Sequence, residues 1–226
     1  MNFGPIKYLV DHMMIPFLSF SYDTIYPNYG IAIILLTVLI KALFFPLMTK
    51  QYLSMKGMQA VGPQMTKIKE KYKGNSQKLQ QEMMKLYKDN NINPLQGCLP
   101  MIIQIPFFLA IYSTVMSPSF KALITEPGVN PGFLPFWLGD LAAPDGTFVL
   151  PVLLAIFTYW SQKLIMVDPA QQKFLIMSPI LILVFGFKMP SGVLLYWAAS
   201  TALSTAQQLW VMKKADSPKV KVLGKA

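Results

Sequence analysis

The sequence predicts an all-α integral membrane protein: five transmembrane helices around a hydrophilic groove, with an outer amphipathic helix and a cytoplasmic helical hairpin. Three observations carry this. Of 226 residues, 54% are hydrophobic and only 13% charged, against about 25% charged in a soluble domain. Apolar runs recur at 29–48, 95–116, 148–166, 174–187 and 193–212, most of them near the ~20 residues that a helix needs to cross ~30 Å of hydrocarbon. The basic residues, every one a lysine, crowd into the segments on one side of these runs. The length suits one domain, 1–226.

In residues 6–18, Ile6, Leu9, Val10, Met13, Met14, Phe17 and Leu18 fall at helical spacing, with Lys7, Asp11 and His12 between them. This predicts an amphipathic helix lying on the membrane within 1–22. A signal peptide fits poorly, because Asp11 and Pro16 interrupt any apolar core and no basic stretch precedes it. The prolines within spans (Pro100, Pro106, Pro179) are tolerable where neighbouring helices re-satisfy the freed carbonyls. Residues 189–192, Met-Pro-Ser-Gly, force the fourth and fifth spans into a tight hairpin.

Lysine placement sets the orientation. Nine lysines lie in 50–93 and five in the tail 213–226, with Lys163 and Lys173 flanking the loop 167–172. The other side holds only Lys7, Lys121 and Lys188. The N-terminus is therefore expected outside and the C-terminus inside. The connection 117–147 is expected outside, with the stretch 133–137 at the interface.

Punctuation makes 50–93 a hairpin. Pro63 starts one arm, Gly74-Asn75 breaks it, Ser76 caps the next, and Asn93-Pro94 stops it. One arm carries Val61, Met65, Ile68 and Tyr72 on a stripe; the other carries Leu79, Met83, Leu86 and Tyr87. Two readings stay open: a solvated hairpin near anionic headgroups, or a docking surface given adaptable apolar character by methionines such as Met58, Met65, Met83 and Met84.

Lys41 stands alone in the first run, about 18 Å from Tyr29 on a 1.5 Å rise. A charge at the bilayer centre costs roughly 2.5–3.5 kcal/mol and normally faces water or a partner. Snorkelling toward Lys50, about 13 Å further along, is the alternative and is strained. Other runs supply polar residues: Thr37 one turn from Lys41; Gln104 in the second; Thr158 and Gln162 in the third; Ser200, Ser204 and Gln208 at i, i+4, i+8 in the fifth. For one Ser or Thr, interhelical hydrogen bonding suffices. For Lys41, Gln162 and the fifth-run stripe together, a wet groove explains more.

Cys98 and His12 are the only residues of their kinds, so an intrachain disulfide, a multi-histidine metal site and cysteine-based zinc are excluded. No nucleotide loop or ligand cluster is present, and no cofactor is expected. No carboxylate falls within a run and no inverted repeat is visible, which counts against a secondary transporter. An anion channel would need an oligomeric ring of Lys41.

The local patterns, taken in order, resemble the YidC/Oxa/Alb membrane protein insertase family. They are YGIAIILLTVLIKALFFPL at 29–47, KQYLSMKGMQ at 50–59, EKY at 70–72 with LYK at 86–88, NPLQGCLP at 93–100, QIPFFLAIY at 104–112, DPAQQK at 168–173, PSGVLLYW at 190–197 and STAQQ at 204–208. The resemblance implies five core spans around a groove open to the cytoplasm and lipid but closed outside. It implies insertion and folding of nascent membrane proteins, alone or beside the Sec translocon. The charge of the basic tail 213–226 suits contact with ribosomal RNA or with anionic lipid. The family's groove positions map onto Lys41, Gln162 and Trp197, with Thr37 and Tyr196 nearby. It also implies a bacterial cytoplasmic (inner) membrane, or a thylakoid: Lys41 in place of the usual Arg, and the LSTAQQLW stretch, look like the photosynthetic branch. No counterpart of the large extracytoplasmic domain or of a lipoprotein signal is expected. A non-translocating assembly chaperone is the other function class that this resemblance allows.

Overall fold

The computed structural model describes residues 4–93, 99–130, 132–134, 137–165 and 172–214. The basic tail beyond Lys214, residues 167–171 of the loop expected at 167–172 and the start of the second run, with Cys98, lie outside the described residues. So do parts of the interfacial stretch 133–137.

The chain opens with α1 (Gly4–Leu9), a π-turn over Val10–Met14 and α2 (Ile15–Thr24). Together they make one helical stretch whose buried stripe is Val10, Met14, Leu18 and Ser21. Tyr8, Met13 and Phe20 remain exposed on the other faces, so the stretch is apolar well beyond one stripe.

The first run and the first hairpin arm are a single helix, α3 (Tyr29–Lys71), 43 residues long and about 64 Å at 1.5 Å per residue. It starts where the Asn28 side chain accepts from the Ile31 amide at 2.9 Å, satisfying one of the helix's orphan donors. Pro63 does not begin a new helix. It lies inside α3, as Pro46 does. A proline there removes one i→i−4 bond, and Pro63 sits on the exposed side, where water can reach the carbonyl left behind.

The second arm is α4 (Ser76–Asp89). Its cap is Asn75, whose side chain accepts from the Lys78 amide; Ser76 is the first helical residue, one position later than a cap. The helix ends at Asp89, ahead of the expected Asn93-Pro94 stop, and the chain turns at Asn91 with φ 54°. The arms close over a seam of Val61, Met65, Ile68, Leu86 and Tyr87, with Tyr72, Leu79, Met83 and Ile92 packed around it.

The remaining helices are α5 (Leu99–Val115), α6 (Pro118–Ile124), α7 (Val149–Ile165), α8 (Gln172–Gly186) and α9 (Ser191–Lys214). Among the described residues, α3 is the one unbroken helix long and apolar enough to cross a membrane. α5 and α6 qualify together across a 57° bend, and α7 and α8 are shorter apolar helices. α9 is the hub, packed on α3, α5 and α7, while α8 packs on α7 and α2 on α3. Leu36, Ile111, Leu154, Leu194 and Tyr196 belong to the common core. Large apolar side chains such as Leu43, Trp160, Val184 and Phe185 stay exposed on the outer faces.

A loop ties together the starts of α3, α7 and α9. Asn28 Nδ2 donates to the Phe133 carbonyl at 2.8 Å, and Gly30 lies so close to Phe133 that a Cβ would approach it to 2.6 Å. Pro144 bridges Pro190; the Ser191 amide donates to Ala143 O at 2.7 Å and the Gly192 amide to Leu141 O at 2.9 Å. Asp145, 2% exposed, accepts from the Thr147 amide and hydroxyl and from the Leu150 amide, thereby starting α7. Burial pushes its carboxyl up, but the Thr147 hydroxyl and the Leu150 and Thr147 amides outweigh this and hold it below the ordinary carboxylate range.

Candidate functional site: a lysine held between three helices

Lys41 points from α3 toward α5 and α9. Its Nζ donates to Ser204 Oγ at 2.9 Å and to Gln104 Oε1 at 3.3 Å. Gln104 Nε2 donates to the Tyr196 hydroxyl at 2.7 Å, and Ser200 Oγ reaches Gln104 Oε1 at 3.4 Å. The network thus joins α3, α5 and α9 through one ammonium and neutral partners. An ammonium has three protons to place, and these two acceptors use two of them. Lys41 is half-buried, so the geometry is that of an internal polar seat rather than a side chain extended to one end of its helix.

Helix periodicity explains why α9 serves it. Tyr196, Ser200 and Ser204 recur every four residues and so share a face. Trp197 turns aside, packing edge-to-face on Phe108 with ring centroids 5.4 Å apart. Thr37 is fully buried and gives its hydroxyl to the Ile33 carbonyl at 2.7 Å, inside its own helix. Gln162 accepts from Ser178 Oγ at 2.7 Å, which joins α7 to α8 and not to Lys41. Gln208 is buried, its amide nitrogen without a partner.

Gln104, named among the polar residues of the second run but not among the groove positions that the resemblance maps, is central to the network. Its signal was there: an amide inside the apolar stretch QIPFFLAIY. Among the hairpin methionines, Met65 lies in the seam, where the Tyr87 hydroxyl meets its sulfur at 3.8 Å. Met58 and Met83 are half-buried, and Met84 alone of the four is exposed. A seam between two narrow helices consumes the side chains that face it, which leaves no continuous methionine surface.

The family model described as the 60Kd inner membrane protein matches residues 20–218. The chain belongs to that family. It is 41% identical over 219 residues to the membrane protein insertase YidC of Syntrophus aciditrophicus, covering 95% of this chain and 38% of that protein. It is 43% identical over 202 residues to the protein of the same name from Hahella chejuensis, covering 88% and 34%. Among solved structures, an active YidC insertase with its first transmembrane domain resolved matches with a TM-score of 0.68 and 27% identity, over 85% of this chain and 44% of that one. The chain therefore spans little more than a third of the length of the curated relatives it matches.

Proposed function

We propose that this chain is the membrane-embedded core of a membrane protein insertase, which moves short polar tails of nascent membrane proteins across a bilayer. The reading rests on one observation above all: a lysine in the apolar run that opens α3 is seated on neutral partners from two other helices. The costly step in insertion is taking a polar or acidic tail through about 30 Å of hydrocarbon. A groove that holds a cation and the polar groups of Gln104, Tyr196, Ser200 and Ser204 shortens the dry path. Lys41 attracts an acidic tail, the tail leaves on the far side, and the attached apolar span partitions into lipid. That partition drives the reaction, so neither nucleotide nor metal is required.

In this reading α3, α5 with α6, α7, α8 and α9 supply the five spans. The N-terminus lies outside, and the hairpin and C-terminus face the cytoplasm of a bacterium. The apolar side chains left exposed on α7 and α8 suit contact with lipid acyl chains. Relatives that carry the insertase name and cover most of this chain support the same assignment.

The test is reconstitution of the purified protein in vesicles of lipid alone, scored by protease protection of a substrate's translocated tail. Wild type and Lys41→Arg should translocate an acidic tail, while Lys41→Glu should not. If wild type binds the substrate without protecting its tail, the chain is an assembly chaperone. If Lys41→Leu translocates acidic tails at the wild-type rate, Lys41 has no part in the mechanism.

A further inference from the structure

The two ends of the bundle are held together in different ways. Where α3, α7 and α9 begin, the Ala143 and Leu141 carbonyls accept from the Ser191 and Gly192 amides beside the Pro144–Pro190 bridge, Ser191 Oγ donates to Asp140 O at 2.8 Å, and Asn28 bonds Phe133. Leu138 and Phe148, on either side of this clasp, hold left-handed φ of 54° and 60°, conformations that side-chain-bearing residues adopt only when the surroundings impose them.

At the other end, among the described residues, side chains reach from α3 to carbonyls in the last described turns of its neighbours. Lys56 Nζ donates to Met212 O at 2.9 Å, near the end of α9. Gln59 Nε2 donates to Leu164 O at 2.7 Å, in the last turn of α7. Water can replace the side chains that serve these carbonyls. Between the two ends, the α3–α9 seam contains Met48, Tyr52, Met55 and Val211, and within it the buried Gln51 amide has no partner at either atom. The Gln208 amide nitrogen, one turn before Val211, is likewise unpartnered. Buried unpaired amides penalise the closed seam and favour any arrangement that lets water or another polar group reach them.

Lys56 and Gln59 sit on the stretch of α3 that continues without a break into the hairpin. α3 stays continuous past Pro63, which costs it only the ladder bond to the Gln59 carbonyl, so displacement of its far end reaches both contacts.

We propose that the bundle pivots about the clasped end and widens at the other, and that Lys56 and Gln59 are positioning residues which latch the widening end, so that the position of the hairpin sets the width of the groove. The inference rests on the groove reading above for what the opening admits. Gln51 and Gln208 are the groups that gain partners on opening.

Two crosslinks in a Cys98→Ser background test it in vesicles. Pro144→Cys with Pro190→Cys locks the clasp, because bridged residues in antiparallel register lie within disulfide reach. Thr49→Cys with Gln207→Cys, whose native side chains meet at 3.0 Å, locks the seam through a short reducible bis-thiosulfonate. Oxidised clasp protein should insert substrate as its reduced form does. The locked seam should lose insertion and recover it on reduction. A locked seam that still inserts, or a locked clasp that does not, overturns the pivot. If both reduced proteins fail to insert, the insertase reading itself is at fault, and a second measurement still decides the pivot. Spin labels at Lys163 and Lys213 should give a broader distance distribution than labels at Asp140 and Lys188, and the Lys56→Met, Gln59→Leu double variant should widen only the former. Equal, narrow distributions that the double variant leaves unchanged would refute the latch.

Discussion

Replacing Gln104 with leucine should destabilise the fold more than replacing Lys41 with leucine, although Lys41 carries the charge. Gln104→Leu removes the acceptor for Lys41 at 3.3 Å and the donor to Tyr196 at 2.7 Å, together with the long contact from Ser200 at 3.4 Å. A hydrogen bond to a charged group contributes about 1.5–3 kcal/mol and a neutral one about 1 kcal/mol. With the lower value for the longer charged bond and nothing for the 3.4 Å contact, the loss is roughly 2–3 kcal/mol. Lys41→Leu breaks two charged bonds, worth about 3–4.5 kcal/mol on the same scale, but also removes a charge whose placement in the bilayer costs about 2.5–3.5 kcal/mol. The net is within about 2 kcal/mol of zero, and nearer zero than for Gln104. Reversible unfolding in mixed micelles, followed by tryptophan fluorescence, gives both values, and the double variant gives their coupling. If Gln104→Leu lies within about 0.5 kcal/mol of wild type, the ordinary range for an uninvolved surface site, or if Lys41→Leu is the worse of the two, the network does not hold these helices together.

Other outcomes follow from the same structure. Single cysteines at positions 75 and 220 should label from the cytoplasm and one at 130 from outside; labelling of 75 and 130 from one side would remove the five-span topology. The Asp145 carboxylate, held below its ordinary range, contributes stability that is full above the unfolded-state value and is lost as pH falls through the folded one. The protection factor of the Leu150 amide, its exchange rate relative to the intrinsic rate at each pH, should therefore fall on acidification, and Asp145→Asn should abolish that dependence. Gly30→Ala places a Cβ 2.6 Å from Phe133 and should lower stability by about 1–3 kcal/mol, as overpacking does. Phe133→Gly, which removes both side-chain atoms at 2.6 Å and leaves the Cα at 2.9 Å, should relieve part of that loss in the thermal denaturation of the double variant.

Contacts set by spacing along one helix were legible in the sequence. Val61, Met65 and Ile68 meet Leu86 and Tyr87 because i, i+3 and i+4 positions share a face, and the same arithmetic put Ser200 and Ser204 on one side of α9. Contacts set by register between helices were not. Gln104 lies 63 residues from Lys41, and nothing in either segment says which turns will align. Gln162 is likewise a polar residue facing inward, yet its partner is Ser178 on the adjacent α8. Thr37 sits one turn from Lys41, as the spacing required, but a threonine in a helix can serve the i−4 carbonyl, and this one does. Pro63 misled for a related reason: proline suits both a helix start and a tolerated interior site, and neighbouring packing decides between them.

The Lys41–Ser204 contact spans 163 residues of chain, and this has a consequence for how the protein is made. At roughly 5–20 residues per second, about 8–30 s separate synthesis of the lysine from synthesis of its better acceptor. Gln104 arrives after 63 residues, or about 3–13 s at the same rate, and is the first partner Lys41 can find. During that interval the nascent molecule holds a helix with an unseated ammonium, the very kind of segment that enters a bilayer reluctantly. The order of arrival makes the α3–α5 pair the earliest assembly step and α9 the closing one, so a ribosome stalled before α9 should leave Lys41 titratable and open to amine reagents from the water side.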